Sequence, residues 1–563
     1  MGKGRKVLLL VMGLFLVSLS FAYAADFNHV ITNSENWEDV YSGIHYANLN
    51  GVDSDFLTSA SHGRLLMEAI SKSKDILVLT SRDEPYMFNY PDLLKTEGFS
   101  SAEEIVSRNL NVDLARDLDV ENFVVVGDSY GYNAIAVAPY AVKKNSWVFF
   151  ANKVNIDDID AVLATKNVKE LIIYGYVDRE VRDALEKYNP RIINNQDRFE
   201  DNIEIVKDYL ELNPTKQTLL TNGDFIEQEL MSGTQPVLFT GKENVPDKVR
   251  DYLKTSDIEI GVLVGNELMG AATNIRRSAG ISVMVKFARG ARVKTDGVSA
   301  VEGLDLFPIP SPTLSLEIYS VEYNKLTGQL EVTYKSSSNT PIYLLGTITL
   351  KESDGTQYKV GDSEQVFISP GSYLTVVYDI DVQNFDDLKA ELFVLYGDSS
   401  NSLDRILNAD WDVKVVDVID NCNIDIDKIV YNKQKNQFEI NVKNLEDVDC
   451  WVEASLKNLI VGYEELTVST DGATKISAGK SSKLFIEQEM YDTDIDKNDF
   501  VNLVARYGEK ETGLVKVYEG KFELSIKNVA TVTYVVMMLV VGIFVFFFLF
   551  GYRRRREKKE FDF

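Results

Sequence analysis

Three Gly-Asp-Ser triplets raise the question of serine-hydrolase chemistry, because each could present a serine nucleophile in a tight turn. The triplets begin at Gly127, Gly361 and Gly397. Such chemistry needs a histidine to take the serine proton. The three histidines of the chain all lie upstream of the first triplet, at His29, His45 and His62. We therefore expect a protein that is not an enzyme, with a hydrolase as the disfavoured alternative.

A cluster of acids near the C-terminal end is the candidate for metal binding. Asp492, Asp494 and Asp496 alternate along the chain as the oxygen ligands of a calcium loop do. Lys497 stands at the position of the turn glycine, so the segment is not an EF-hand loop. Two interpretations stay open, a weak and irregular calcium site or a turn of mutually repelling acids. No other cofactor is predicted.

The first residues of the chain have the pattern of a secretory signal. Lys3, Arg5 and Lys6 precede an apolar segment, 7–17, which leads to a small-x-small cleavage motif that ends at Ala24. We predict a signal peptide over residues 1–25. An uncleaved N-terminal anchor is the alternative.

The last residues have the pattern of a membrane anchor. An uncharged apolar run, 529–552, is followed at once by four arginines, 553–556. About 20 helical residues cross the core of a bilayer, and cationic flanks stay on the cytoplasmic side. The sequence therefore predicts a transmembrane helix over 529–552 and a cytoplasmic tail over 553–563. The protein is expected to be a single-pass cell-membrane protein with its N-terminus outside.

The part between the two terminal segments is strongly acidic. The 563 residues carry a net charge of −27. Each predicted terminal segment carries +3, which leaves about −33 for the exported part. Such a surface repels nucleic acid and anionic lipid, so a nucleic-acid partner is not expected. It suits cation-rich surroundings or contact with cationic or neutral polymers, and simple solubility is the alternative.

Cys422 and Cys450 are the only cysteines, and they lie 28 positions apart in the exported part. An even count in an oxidising compartment favours one disulfide within a single domain. Two buried free thiols are the alternative.

A proline-rich segment, Pro308–Pro312, divides the exported chain and predicts an extended, semi-rigid spacer. Before it, short apolar runs alternate with helical periodicity, which predicts an α/β domain with parallel sheets over residues 26–307. After it, short strands with turn signals predict all-β sandwiches. The predicted fold is therefore α/β, then all-β, then one transmembrane helix.

The β-rich part contains an internal repeat. Tyr323-Asn324-Lys325 recurs as Tyr431-Asn432-Lys433 at an offset of 108 residues, and an alternating strand follows each copy. We predict two tandem Ig-like sandwiches over 313–413 and 414–526. They resemble the CARDB-type modules of archaeal and bacterial surfaces, and this resemblance implies a spacer or adhesion role.

The α/β part holds three diverged copies of one strand–helix order, with middle strands that start at residues 76, 147 and 237. The clearest copy contains Gly127–Tyr130, Asn133–Ala141 and Leu171–Gly175. These segments resemble the cell wall binding repeat type 2 family, although Asn133 stands where the family has Asp and Tyr176 replaces its second glycine. The resemblance implies toprim-like repeats, three of which form a pseudo-threefold assembly, and non-covalent attachment to anionic wall polymers.

Contact with such a polymer would need local cations. The candidates near the end of the α/β part are Arg276, Arg277, Lys286, Arg289 and Arg292. An ordinary solvated face is the alternative. We predict a non-catalytic surface protein of a prokaryotic, archaeal-type envelope that binds an envelope polymer or an S-layer component. A protein–protein adhesion or assembly factor is the alternative.

Overall fold

The computed structural model describes residues 27–265, 268–286, 290–295, 298–303, 306–527, 538 and 540–549. Its N-terminal part is α/β with parallel sheets and its C-terminal part is all-β with mainly antiparallel sheets, which confirms the predicted order of the two fold classes. The predicted signal peptide 1–25 and tail 553–563 lie outside the described residues, as does most of the predicted membrane segment 529–552. None of the helices in the described ranges combines the length and the apolar character that crossing a membrane requires.

The α/β part, which we call the head, consists of three units with one topology. In each unit the four strands are parallel, and the first and third strands form the middle of the sheet. The strands of unit one, in sheet order second–first–third–fourth, are numbered along the chain as β1 (His29–Asn33), β2 (Asp53–Phe56), β3 (Asp75–Ser81) and β4 (Ser101–Ser107). Unit two has β5 (Asn122–Gly127), β6 (Ser146–Ala151), β7 (Glu170–Tyr174) and β8 (Arg191–Ile193). Unit three has β9 (Gln217–Thr221), β11 (Val237–Phe239), β12 (Ile260–Val264) and β13 (Ser282–Lys286).

Eleven described helices connect these strands. In chain order they are α1 (Trp37–Asn50), α2 (Ala60–Ala69), α3 (Tyr90–Thr96), α4 (Leu110–Asp117), α5 (Tyr132–Lys144), α6 (Ile156–Leu163), α7 (Arg179–Leu185), α8 (Arg198–Leu212), α9 (Gln228–Met231), α10 (Asp247–Thr255) and α11 (Met269–Ser278). Helix α4 joins unit one to unit two, and α8 joins unit two to unit three. A 3₁₀ turn, Glu186–Tyr188, follows α7.

One part of the sequence interpretation was wrong. The strand that starts near residue 76 was matched with those near 147 and 237, but it belongs to β3, the third strand of its unit, whereas the other two are second strands. The counterpart in unit one is β2, a partly polar edge strand with the sequence Asp-Ser-Asp-Phe. Strand β1 was missed because only Val30 and Ile31 form its apolar run.

The three units share one core, because their first helices, α1, α5 and α9, contact one another. Helix α5 is buried on almost every side, and Ala134, Ala138 and Ala141 have no exposed surface. Small side chains let the neighbouring helices approach closely, and a helix that is apolar all round belongs in a core. Asn48 on α1 donates to the backbone oxygen of Met231 on α9 at 2.7 Å, which ties unit one to unit three.

Two buried asparagines cover the outer edges of parallel sheets. Asn111 on α4 donates to the oxygen of Val148 at 2.8 Å and accepts from the N–H of Phe150 at 3.3 Å, both on edge strand β6. Asn202 on α8 makes the same pair of bonds to edge strand β11, at 2.9 Å and 2.7 Å. Each carboxamide thus pairs with one N–H and one C=O of the edge strand, which a neighbouring strand would otherwise satisfy.

The proline-rich segment is not a free spacer. Strand β16 (Phe307–Pro308) pairs antiparallel with β10 (Phe225–Ile226) of unit three. Ile309 is buried in the core of the head, and Gly131 donates its N–H to the oxygen of Pro310 at 2.9 Å. The segment therefore holds the β part against the head. A separate hairpin, β14 (Gly290–Thr295) with β15 (Val298–Gly303), precedes it.

The first β module has two sheets around one core. One sheet contains β17 (Leu316–Asn324), β18 (Gln329–Ser336), β22 (Tyr373–Asp379) and β25 (Lys414–Val416). The other contains β19 (Ile342–Lys351), β20 (Gln357–Gly361), β21 (Val366–Ile368), β23 (Lys389–Gly397) and β24 (Arg405–Asp412). Pairing is antiparallel except between β17 and β25.

The second β module has its own core. Its strands are β26 (Ile424–Asn432), β27 (Gln437–Asn444), β28 (Cys450–Val461), β29 (Glu464–Ser469), β30 (Thr474–Ile476), β31 (Ser481–Glu487), β32 (Phe500–Gly508) and β33 (Lys516–Lys527), with one short helix, α12 (Asp492–Ile495). Cys422 and Cys450, predicted to pair, form a disulfide within this module.

The two β modules make the same specific contacts at positions that lie 108 residues apart in the sequence. The hydroxyl of Tyr323 donates to the oxygen of Ile380 at 3.0 Å, and that of Tyr431 donates to Gln488 at 3.1 Å. A register shift interrupts β17 between Ile318 and Ser320, and β26 has one between residues 426 and 428. The offset of 108 residues therefore joins equivalent structural positions.

We expect Asn202→Ala to lower the free energy of unfolding by about 2 kcal/mol, because it leaves a buried N–H and a buried C=O of β11 without partners. Urea unfolding of the full-length protein measures the change. Asn50→Ala is the matched control, since Asn50 lies on an exposed helix end and its bond to the Tyr46 oxygen is replaced by water. An equal loss in both variants would show that the edge cap is not responsible.

Candidate functional site

The second sheet of the head has a topological switch point between β5 and β7, where α/β proteins commonly bind ligands. Gly175 follows β7 with φ +71°, and a Cβ atom there would lie 2.6 Å from the Nδ2 atom of Asn133. A glycine is therefore required at this strand end. It lets the Asn133 amide pack against the chain and brings Tyr176 to the sheet edge.

A cavity of about 470 Å³ lies at this edge, between the head and both β modules; we call it the interdomain cleft. The head contributes Tyr132, Asn133, Tyr176, Gln196, Asp197 and Arg198, among others. The first β module contributes Tyr343, Gln365, Phe367, Asp398 and Asn401. The second contributes Lys457, Asn458, Glu464 and Glu465. Side chains from all three parts thus face one space.

A buried ion pair joins the head to the first β module beside the cleft. Arg198, at the start of α8, donates to Asp404 at 2.9 Å and lies 3.7 Å from Asp398. The side chains of Arg198 and Asp404 are only 9% and 2% exposed. Burial raises the pKa of Asp404 to about 6, and the neighbouring guanidinium opposes that rise. Burial disfavours the charged form of Arg198, but Asp398 and Asp404 raise its pKa above the usual value.

A second ion pair joins the head to the second β module. Arg179, at the start of α7, donates to Asp494 at 2.5 Å, and its guanidinium lies 4.2 Å from the ring centre of Tyr491. Next to it, Arg182 lies 3.9 Å from the ring centre of Tyr463. Although burial acts to raise the pKa of Asp494, the guanidinium and two backbone N–H donors hold it below the usual value.

The structure places the predicted calcium ligands at this interface. Asp494 accepts from Arg179 and from the backbone N–H groups of residues 462 and 491, so both its oxygens have protein donors. Asp492 pairs with Lys433 at 2.6 Å, and Asp496 is exposed. In the described ranges, no group of three or more His, Cys, Asp or Glu side chains is arranged to hold a metal ion.

The predicted polymer-binding cations lie elsewhere. Arg276 and Arg277 are exposed in the last turn of α11, and neither lines the interdomain cleft. Lys286, at the far end of β13, pairs with Glu227 at 2.6 Å and Glu229 at 2.7 Å. Arg292 lies on β14, opposite Val301. Arg289 is outside the described residues, so its role as a ligand contact stays a prediction.

Sequence reasoning missed the residues that build the cleft. The triplet at 397–399 was considered only for serine-hydrolase chemistry, yet Ser399 donates to Asp197 at 2.9 Å across the head–module boundary. In the second module the corresponding position is Gly508, and it is followed by Glu509 instead of Asp-Ser. That difference between the two repeat copies is the signal that could have singled out the loop. No comparable signal marks Arg198.

Two non-glycine residues of the cleft adopt a left-handed backbone conformation, which costs a residue with a Cβ atom free energy. They are Gln196 and Asn458, each with φ 57°. Among the described non-glycine residues with positive φ, Gln196 is the only one that is neither Asn nor Asp. Backbone strain of this kind is found preferentially at functional sites.

Comparisons with known proteins leave the family open. No protein-family model matches the chain, and no curated protein matches it. Among solved structures, the ligand-binding region of serine-glutamate repeat protein A of Enterococcus faecium is 19% identical and covers 19% of this chain and 98% of its own, with a TM-score of 0.14. Red sea bream transglutaminase is 10% identical, covering 45% and 33%, with a TM-score of 0.13. A chaperone–tip adhesin complex of CFA/I fimbriae biogenesis is 13% identical, covering 37% and 98%, with a TM-score of 0.14. These TM-scores are too low to carry an argument about this chain.

We expect the stability of the protein to fall as the pH rises from about 4 to 7, in part because of Asp201 beside the cleft. Burial raises the pKa of Asp201 to about 7, with hydrogen bonds from Asn195 opposing the rise and Asp197 and Glu204 adding to it. An unfolded aspartate titrates near pH 3.9, so in this window the native state holds a proton that the unfolded state has lost. That stabilisation is complete below the pKa of the aspartate in the unfolded chain. It is lost as the pH rises through the pKa of Asp201 in the folded protein.

Asp201→Asn should reduce the slope of the free energy of unfolding against pH by up to about 1.4 kcal/mol per pH unit. Urea midpoints at pH 5, 6, 7 and 8 measure the slope. Glu211→Gln, on the exposed end of the same helix, is the matched control. A slope unchanged by Asp201→Asn would contradict the assignment.

Proposed function

We propose that this chain is a non-catalytic cell-surface protein that binds an envelope polymer or an S-layer component. In this proposal the head is the binding part, the two β modules are Ig-like sandwiches that carry it, and the predicted helix 529–552 anchors the whole to the cell membrane. The observation that carries the proposal is the interdomain cleft. The head and the modules build it together, and one buried and one partly buried ion pair hold it in place.

The topology of the head supports the family resemblance on which the proposal draws. Three parallel sheets with one strand order, whose first helices meet in a shared core, are what three toprim-like cell wall binding repeats would form. The same proposal gives the head the boundaries 26–307 and the two β modules the boundaries 313–413 and 414–526. The docked proline-rich segment also supports the proposal, because a rigid connection between head and modules keeps a bound polymer at a fixed place relative to the predicted anchor.

The acidic surface bears on the kind of polymer. Like charges repel over about 8 Å at physiological salt, so an exported part of this charge binds an anionic wall polymer only where cations gather. Lys286 is already paired with two glutamates. The acidic surface does not repel a neutral polymer chain, so the proposal includes neutral polymers.

We expect the full-length protein to sediment with the host envelope fraction after that fraction has been deproteinised with protease. A protein partner would be lost in this treatment, whereas a glycan survives it. Binding at both 0.1 M and 1 M salt would indicate a neutral polymer, because the Debye length falls from about 10 Å to 3 Å over that range. Binding only to the untreated fraction, with capture of the S-layer protein, would favour an S-layer component over a polymer. Binding only to the untreated fraction, with capture of one defined surface protein other than the S-layer protein, would contradict the proposal and favour an adhesion or assembly factor.

A further inference from the structure

We propose that the interdomain cleft is a glycan-binding site for a neutral, hydroxyl-rich chain that lies between the head and both β modules. The inference rests on the proposed function and adds the site and the chemical class of the ligand. Four features of the cleft carry it: its aromatic faces, its unpaired carboxamides, its charge and its strained backbone.

Aromatic rings line the cleft from both sides. Tyr176, from the head, is 56% exposed although polar groups surround it. Tyr343 and Phe367, from the first β module, are half-buried and stand edge to face with ring centres 5.4 Å apart. The C–H face of a sugar ring packs on such surfaces, and an aromatic ring offers a large contact area at little cost in conformational entropy.

Carboxamides supply hydrogen-bonding groups between these rings. Gln196, Gln365, Asn401 and Asn458 are exposed in the cleft and come from all three parts of the protein. Within the part of the chain that the structure describes, no hydrogen bond from another protein group occupies their side-chain amides. A carboxamide offers donors and an acceptor side by side, and neighbouring sugar hydroxyls match this arrangement.

The charge of the lining excludes an anionic chain. Asp197, Asp398, Glu464 and Glu465 outnumber the two cations, Arg198 and Lys457. Arg198 is already paired with Asp404.

The size and the backbone of the cleft fit a bound ligand. Its volume of about 470 Å³ lies within the usual range of small-molecule sites, about 300–1,000 Å³. Gln196 and Asn458 hold left-handed conformations in which glycine would be less strained. We infer that their side chains are kept there for contact with the ligand.

The test uses the full-length protein and the deproteinised envelope glycan of the host. Mannohexaose, maltohexaose, cellohexaose and hexa-N-acetylchitohexaose are the defined neutral probes, hexagalacturonate is the acidic one, and the glucosamine hexamer chitohexaose is the cationic one. Isothermal titration calorimetry measures binding. We expect the envelope glycan and at least one neutral hexamer to bind, and hexagalacturonate not to bind.

The variants Tyr176→Ala and Gln365→Ala should each weaken that binding at least tenfold. Both side chains are exposed, so the melting temperature should stay within about 2 °C of the parent. Tyr319→Ala is the matched control, because Tyr319 is 47% exposed on the first β module and does not line the cleft. Gln196→Gly should raise the melting temperature while it lowers affinity, a combination that a purely structural role would not give.

The outcomes separate this inference from the proposed function. If the envelope glycan binds the parent, Tyr176→Ala and Gln365→Ala equally well, the cleft is not the site, although the proposed function stands. If hexagalacturonate or the cationic chitohexaose is the only chain bound, the ligand class is wrong. If no glycan binds and the cleft variants lose capture of a surface protein, both proposals fail.

Discussion

The buried ion pair between Arg198 and Asp404 is the constraint on which the arrangement of the molecule depends. Charges this deeply buried are costly without a partner, and Arg198 meets Asp398 and Asp404 only when the first β module is docked on the head. The pair therefore specifies where the module sits, whatever its net contribution to stability. Arg179 and Asp494 do the same for the second module. Two such contacts, one to each module, act together with the docked proline-rich segment on the position and the orientation of the head.

The cleft is a consequence of this docking. None of the three parts contains it alone, because its walls are the switch-point edge of the second sheet, the 397–401 loop of the first module and the start of β29 in the second. A ligand bound there would contact all three parts and would favour the docked arrangement over any other. Conversely, any movement of the modules would change the affinity of the cleft, since the two equilibria are linked.

The sequence predicted what depends on local pattern. Buried parallel strands such as Phe123–Val126 are short apolar runs, and strands such as Leu330–Tyr334 alternate, so both fold classes could be recognised. The cleft could not be predicted, because its residues run from Tyr132 to Thr467 and meet only through tertiary packing. Arg198 follows the cap residue of α8 as many surface arginines follow a cap, and nothing local distinguishes a buried one. The polar edge strand β2 escaped notice because its hydrophobic signal is weak.

The distance between head and first β module tests the account most directly. Spin labels on Glu211→Cys and Lys359→Cys, two exposed positions in the full-length protein, allow pulsed electron paramagnetic resonance to measure it. We expect one narrow distance distribution in the parent and a broad one when Arg198→Met is added. Asp398 and Asp404 then lose the guanidinium that the head supplies, although Arg405 of their own module stays 3.7 Å from Asp404, so the docked arrangement is no longer favoured. A broad distribution in the parent, or a narrow one that Arg198→Met leaves unchanged, would contradict the claim that this ion pair holds the cleft together.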